Sequence, residues 1–160
     1  MRYLLFSLIV LILSKSALSQ CDNILVGKWK VVAVNNGYTY FNLKTDSVRI
    51  APEMGMGFTS DSAKQQFLAL QKMVYGSFEF HFKNDSVLTM RMLDGFVEDV
   101  RYCYKKSVNK IKITSKNSLG EDKSDELPAM IKNELLYFTL TESEDGEVLE
   151  LIMEKNKGDL

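Results

Sequence analysis

The sequence predicts an all-β protein, an antiparallel meander of about eight strands closed into a barrel, with one inserted helix near residues 62–75. Apolar and polar residues alternate through most of the chain, which is the pattern of half-buried strands. Asn-Gly and Asp-Gly pairs separate several alternating segments, and such pairs are strong hairpin signals. About eight strands is close to the number at which a small barrel closes.

The first strand begins near Leu25 and ends before the Asn36-Gly37 turn, which leads into a second strand at Tyr38 to Phe41. Residues 51–58 are rich in Gly and Met and are expected to form a loop. Met54, Met56 and Phe58 in this loop either cover the open end of the barrel or simply pack there.

A helix is predicted after this loop. Ser62-Ala63-Lys64-Gln65 matches a capping box. The apolar residues Ala63, Phe67, Leu70 and Val74 then recur at helical spacing. Gly76 follows where a helix commonly ends.

The later strands alternate in the same way as the first two. Asn117 to Glu126 is polar and acidic and is expected to be a loop, with a short extra segment at Leu127 to Ile131. Asp145-Gly146 is the turn of the last hairpin. The predicted strands between Ser77 and Met153 are 77–83, 87–93, 96–105, 110–114, 136–140 and 149–153.

The N-terminus has the order of a secretory signal. Met1-Arg2-Tyr3 is positive, Leu4 to Leu13 is apolar except for Ser7, and Ser14 to Gln20 is small and polar. A bilayer span needs about 20 apolar residues, so no transmembrane segment is expected in the mature chain. The predicted organisation is a signal peptide at 1–19 and a single domain at 20–160, secreted or periplasmic.

Two cysteines, Cys21 and Cys103, lie in the mature chain. An oxidising compartment permits a disulfide between them. In the alternative, Cys103 is buried and Cys21 is free or lipidated, since Leu18-Ser19-Gln20-Cys21 loosely resembles a lipobox. The bulky Gln20 favours cleavage before Gln20, whereas acylation of Cys21 would make an outer-membrane lipoprotein.

Charge and motifs exclude several classes of function. The mature formal charge is −3, because the chain carries −1 and the signal contains two of its cations, which gives no footprint for nucleic acid. The sole histidine, His81, lies on the polar face of its strand without partners at catalytic or metal-ligand spacing. The sequence therefore predicts a protein that is not an enzyme and has no cofactor or metal.

One predicted strand face is aromatic and rich in methionine, and it suits a small hydrophobic ligand. A filled core is the alternative, because eight strands can enclose little more than their own side chains. The candidate ligand-binding residues on this face are Phe78, Phe80, Phe82, Met90, Met92, Tyr102, Tyr104 and Phe138.

Some outward positions are apolar as well. Such faces would support the helix, a second copy of the chain or a protein partner. The alternative function is accordingly a filled-barrel scaffold that acts as an interaction module at the cell surface. The outward apolar pairs are Val32 with Val34, Leu135 with Tyr137 and Val148 with Ile152.

Gly27-Lys28-Trp29 at the start of an all-β chain resembles the lipocalin signature. Together with the terminal Asp145-Gly146 hairpin, it is most similar to the secreted lipocalin-like domain proteins of Bacteroidetes-type bacteria, which form calycin-like barrels. The resemblance covers residues 24–155. It implies that Trp29 is a structural plug at the closed end and that Gly27 permits close backbone approach. The Arg that covers this Trp in lipocalins has no clear match in this sequence, and the last strand offers only Lys155.

Overall fold

The computed structural model describes residues 21–51, 58, 60–95, 97–141 and 148–156. The predicted signal peptide, Met54, Met56 and the Asp145-Gly146 turn lie outside these residues. The elements in chain order are β1 Gly27–Asn35, β2 Thr39–Asn42, β3 Ser47–Ile50, α1 Asp61–Tyr75, β4 Glu79–Phe82, β5 Val87–Arg91, β6 Val97–Lys105, β7 Lys110–Lys116, β8 Asp122–Lys132, β9 Leu135–Thr141 and β10 Val148–Lys155.

Eight of these strands form a closed antiparallel barrel, which confirms the predicted fold class. Strands β4 to β10 pair with their sequence neighbours, β1 pairs with β4, and the pairing of β1 with β10 closes the ring. The hairpin of β2 and β3 lies beside the second half of β1, where Ala33 to Asn35 pair with β2. Strand β1 therefore has β4 beside its first half and β2 beside its second half.

A β-bulge in β1 changes which residues face inward. Val31 pairs with Met153 and Ala33 pairs with Ile152, so Val32 is the extra residue. Beyond the bulge Val34 faces the core and is fully buried. The prediction that Val34 shares the outer face with Val32 was wrong, because alternation cannot reveal an inserted residue.

An apolar cluster does lie on the outer wall of the barrel. Val32, Ala33 and Ile152 are each less than a tenth exposed. Their own neighbours cover them, and the neighbours that pack on the cluster are Tyr40, Leu135 and Tyr137. Helix α1 takes no part in this cluster.

Strand β8 is longer than the sequence suggested. It begins at Asp122 and pairs with β7 from Asp122 to Pro128, where a loop had been expected. Its first five residues are exposed, so neither side of this part of the strand is buried. Because alternation arises from burial on one face, an exposed strand has none.

Helix α1 begins at Asp61 because Ser60 is its cap, and the Ser60 hydroxyl accepts a hydrogen bond from the Ala63 amide at 3.1 Å. Leu68 is buried in the barrel core, whereas Leu70 is exposed. Phe67 stacks edge-on against Phe41 of β2. The helix therefore packs on the β2–β3 hairpin. Among the described residues no helix is long and apolar enough to cross a membrane.

The barrel has two ends that differ in their connections. The base is the end where β1 begins and β10 ends, and it includes the register pairs Gly27 with Phe82 and Trp29 with Lys155. The mouth half is the opposite half, towards the turns at 93–95 and 117–121. The two halves are packed differently, and this difference defines the candidate site.

Candidate functional site

The chain ahead of β1 crosses the base of the barrel. It is joined to β6 by a disulfide between Cys21 and Cys103, which confirms the predicted pair. The Asp22 amide donates to the Tyr104 carbonyl at 2.8 Å, and the Asp22 carboxylate accepts from the Lys106 amide at 2.7 Å. The segment thus runs from the end of β6 to the start of β1.

Leu25 and Trp29 close the base from inside. Leu25 is fully buried, and its carbonyl accepts a hydrogen bond from the Trp29 indole at 2.7 Å. Trp29 itself is 3% exposed. Sequence reasoning singled out Trp29 by its motif but missed the role of Leu25. A single apolar residue ahead of a strand forms no periodic pattern that would mark it as buried.

Gly27 has a backbone conformation that disfavours every other residue type. Its φ is +128°, and a Cβ at this position would overlap the Cε of Lys155. Lys155 is also the register partner of Trp29, so the two side chains share one face of the β1–β10 pair. The Lys155 stem therefore lies over the start of β1.

Most of the candidate ligand-binding residues fill the base. The Phe80 and Phe138 rings meet edge-to-face with centroids 5.9 Å apart, although β1 and β10 lie between their strands in the ring. This contact crosses the interior, so the barrel is filled by side chains at this level. The five candidates that are less than 5% exposed are Phe80, Phe82, Tyr102, Tyr104 and Phe138.

Two buried phenols in the base have different partners. The Tyr102 hydroxyl donates to the Asn84 carbonyl. Burial, with a smaller contribution from Asp85, raises the pKa of Tyr102 to about 12. The Tyr104 hydroxyl is buried near the Ile131 backbone but forms no hydrogen bond of good geometry with any described residue. Burial raises the pKa of Tyr104 as well.

The other three candidates, Phe78, Met90 and Met92, are half-buried and lie towards the mouth half. Further inward-facing side chains on neighbouring strands have the same half-burial and pack against the buried core. Three of them lie in strands whose alternation was predicted and the fourth, Leu127, in the predicted short extra segment, but none was proposed as a site residue. They are Ile113, Leu127, Leu140 and Leu149.

A register row shows how burial changes from base to mouth. Trp29 pairs with Phe80, Phe80 with Met90, and Met90 with Glu98. Strand tilt carries such a row along the axis of a barrel. The first two residues are almost fully buried, and the last two are half-buried. The row ends on a carboxylate that sequence reasoning missed, although Glu98 is in phase with Tyr102 and Tyr104.

The single histidine of the chain lies outside the barrel interior. His81 is on the outer side of β4, with Lys28 and Thr89 as its register partners. The described residues contain no group of three or more His, Cys, Asp or Glu arranged to hold a metal ion. His81 therefore does not contribute to the inner wall of the barrel.

A groove of about 630 Å³ follows the outer wall of β5 to β8. Most of its charged side chains are paired, since Arg101 pairs with Asp122 and Asp99 pairs with Lys83. Hydrogen bonds from Thr89 and then Lys83 lower the pKa of the Asp99 carboxyl. The groove thus presents mostly paired charges, with Lys116 as the exception among its described lining residues.

Comparisons with protein-family models, with curated proteins and with solved structures each found no match. The architecture is that of a lipocalin-like barrel, with a sealed base and an apolar, half-buried mouth half.

Proposed function

We propose that this protein is an exported, non-enzymatic lipocalin-like protein that binds one small apolar ligand in the mouth half of its barrel. One observation carries the proposal: much of the inner wall is apolar, and several of its apolar side chains in the mouth half are only half-buried. The half-buried wall in the mouth half is the surface that a ligand would cover. Phe78, Met90 and Met92 are its proposed contacts, together with Leu140 and Leu149.

The physical basis is the hydrophobic effect. Covering apolar surface contributes about 25 cal/mol per Å² removed from water. Methionine side chains adapt to apolar molecules of different shape, so Met90 and Met92 suit a wall that accommodates a ligand. The packed rings of Phe80 and Phe138 would then form the floor beneath the ligand.

The disulfide supports export. Structural disulfides persist in oxidising compartments and are rare in the cytosol. The Cys21 sulfur cannot be in a disulfide and also carry a thioether-linked lipid, so the bridged form favours a secreted or periplasmic protein over an outer-membrane lipoprotein. Mass spectrometry of the mature N-terminus distinguishes the two forms.

A scaffold that docks a partner protein is the second candidate, and it is supported less well. It requires a bare apolar patch on the outer wall. The outer cluster of Val32, Ala33 and Ile152 is instead covered by neighbouring side chains of the same chain. The position of His81 on the outer wall, away from the interior, supports the non-enzymatic part of the proposal.

Titration of the purified protein with a neutral apolar fluorophore tests the proposal, and we expect saturable binding with one site. Met90→Trp should weaken binding by at least tenfold, because the larger side chain would occupy the half-buried space. Leu70→Trp is the matched control, since Leu70 is 51% exposed on the outer side of α1. Absence of saturable binding, or equal effects of the two variants, would contradict the proposal.

A further inference from the structure

Glu98 is a charged residue on the inner wall, in line with the apolar and aromatic residues of its own strand. In β6 the inward positions are occupied by Val100, Tyr102 and Tyr104, all buried, and Glu98 precedes them in the same phase. The outward positions on either side of Glu98, Val97 and Asp99, are exposed. Register confirms the phase, because Glu98 pairs with Met90, which packs against the core.

The Glu98 carboxylate forms no hydrogen bond or ion pair with any described residue. The other inward-phase charges on the barrel strands of the mouth half are Lys123 and Asp125 of β8. These two pair with each other, with 3.6 Å between the ammonium and the carboxylate. The described barrel wall of the mouth half therefore carries one uncompensated charge, and it is negative.

Helix α1 carries one cation on the face that packs against the core. Lys64 shares the helix face of Phe67 and Leu68 and is half-buried. Its long, flexible stem allows its ammonium to stay in water while the rest of the chain is covered. Glu98 has a shorter side chain on a paired strand. When a ligand covers the wall beside Met90, Glu98 therefore loses water unless the ligand itself replaces it.

We propose that the ligand is an apolar amine, whose tail lies along the mouth-half wall and whose ammonium pairs with Glu98. The inference rests on the proposed function and specifies its ligand class. A purely apolar ligand would strip water from the carboxylate without a compensating bond, and a fatty acid would add a like charge beside it. An ammonium supplies both the hydrogen bond and the opposite charge, and charge-assisted bonds are stronger than neutral ones.

Three probes with the same twelve-carbon tail test the proposal: dodecylamine, dodecanol and dodecanoate, each used below its micelle concentration at neutral pH. Their affinities are measured by displacement of the neutral fluorophore. We expect dodecylamine to bind at least tenfold more tightly than dodecanoate. Glu98→Gln should abolish this preference and leave the affinity for dodecanol within about twofold.

Asp99→Asn is the matched control, because it removes the same charge from the adjacent, outward position. It should retain the preference for the amine. Lys64→Gln tests the competing cation: a preference for dodecanoate that this variant abolishes would overturn the proposal. Equal affinities for the three probes would also overturn it while leaving the proposed function intact. Failure of all three probes and of the fluorophore to bind would overturn both.

Discussion

The base and the mouth half are built from the same eight strands but differ in how their inner wall is used. In the base, Phe80 and Phe138 meet across the interior, and Leu25 and Trp29 close the end. In the mouth half, side chains of similar apolar character are half-buried. This difference in burial shows that an aromatic and methionine-rich strand face does not by itself mark a ligand site. What distinguishes the two halves is whether the facing wall completes the packing.

The largest expected effect is in the base. Trp29→Ala should lower the free energy of unfolding by about 3–5 kcal/mol, because it removes a large buried aromatic ring and leaves a cavity. Urea unfolding followed by circular dichroism measures the change. An equally stable variant would show that Trp29 does not hold the base together.

A matched pair on β9 serves as the control for this comparison. Leu136 and Leu140 both face inward, but Leu136 is 1% exposed and Leu140 is half-buried. Leu136→Ala should cost about 2–5 kcal/mol. Leu140→Ala should cost only about 1 kcal/mol, since less of its side chain leaves water on folding. Equal costs would mean that the two halves are packed alike.

A smaller effect separates the two phenols of the base. Tyr102→Phe should destabilise by about 1 kcal/mol, because it removes the hydrogen bond to the Asn84 carbonyl. Tyr104→Phe should be neutral or stabilising, since the Tyr104 hydroxyl is buried without a hydrogen-bond partner among the described residues. Chemical unfolding of both variants measures the difference. A larger loss for Tyr104→Phe would reveal an unrecognised partner inside the base.

The last expected effect appears only at high pH. The pKa of Tyr102 is about 12 in the folded protein, above its ordinary value of 10.0, so folding favours the neutral phenol. The stability that this burial supports is present below pH 10 and is lost as pH rises towards 12. Tyr102→Phe should flatten the fall in urea midpoint between pH 10 and pH 12. An unchanged pH dependence would place the titration elsewhere.

Sequence reasoning was most successful where burial is one-sided. Strands β4 to β7 alternate because one face is in the core, and their predicted extents are close to those observed. It failed at Val34, where a bulge reverses the phase, and at the start of β8, where neither face is buried. The division between base and mouth half was also not predictable, because it depends on contacts across the interior such as that between Phe80 and Phe138.

The pairing of β1 with β10 has a kinetic consequence. The seam of the barrel joins the first and last strands of the described chain, with Trp29 opposite Lys155. Folds dominated by contacts between residues far apart in sequence fold slowly, because loop-closure entropy is lost before those contacts form. A growing chain therefore cannot complete its barrel until β10 has been synthesised. The sealed base and the half-buried mouth half, however different in packing, become complete in the same late step.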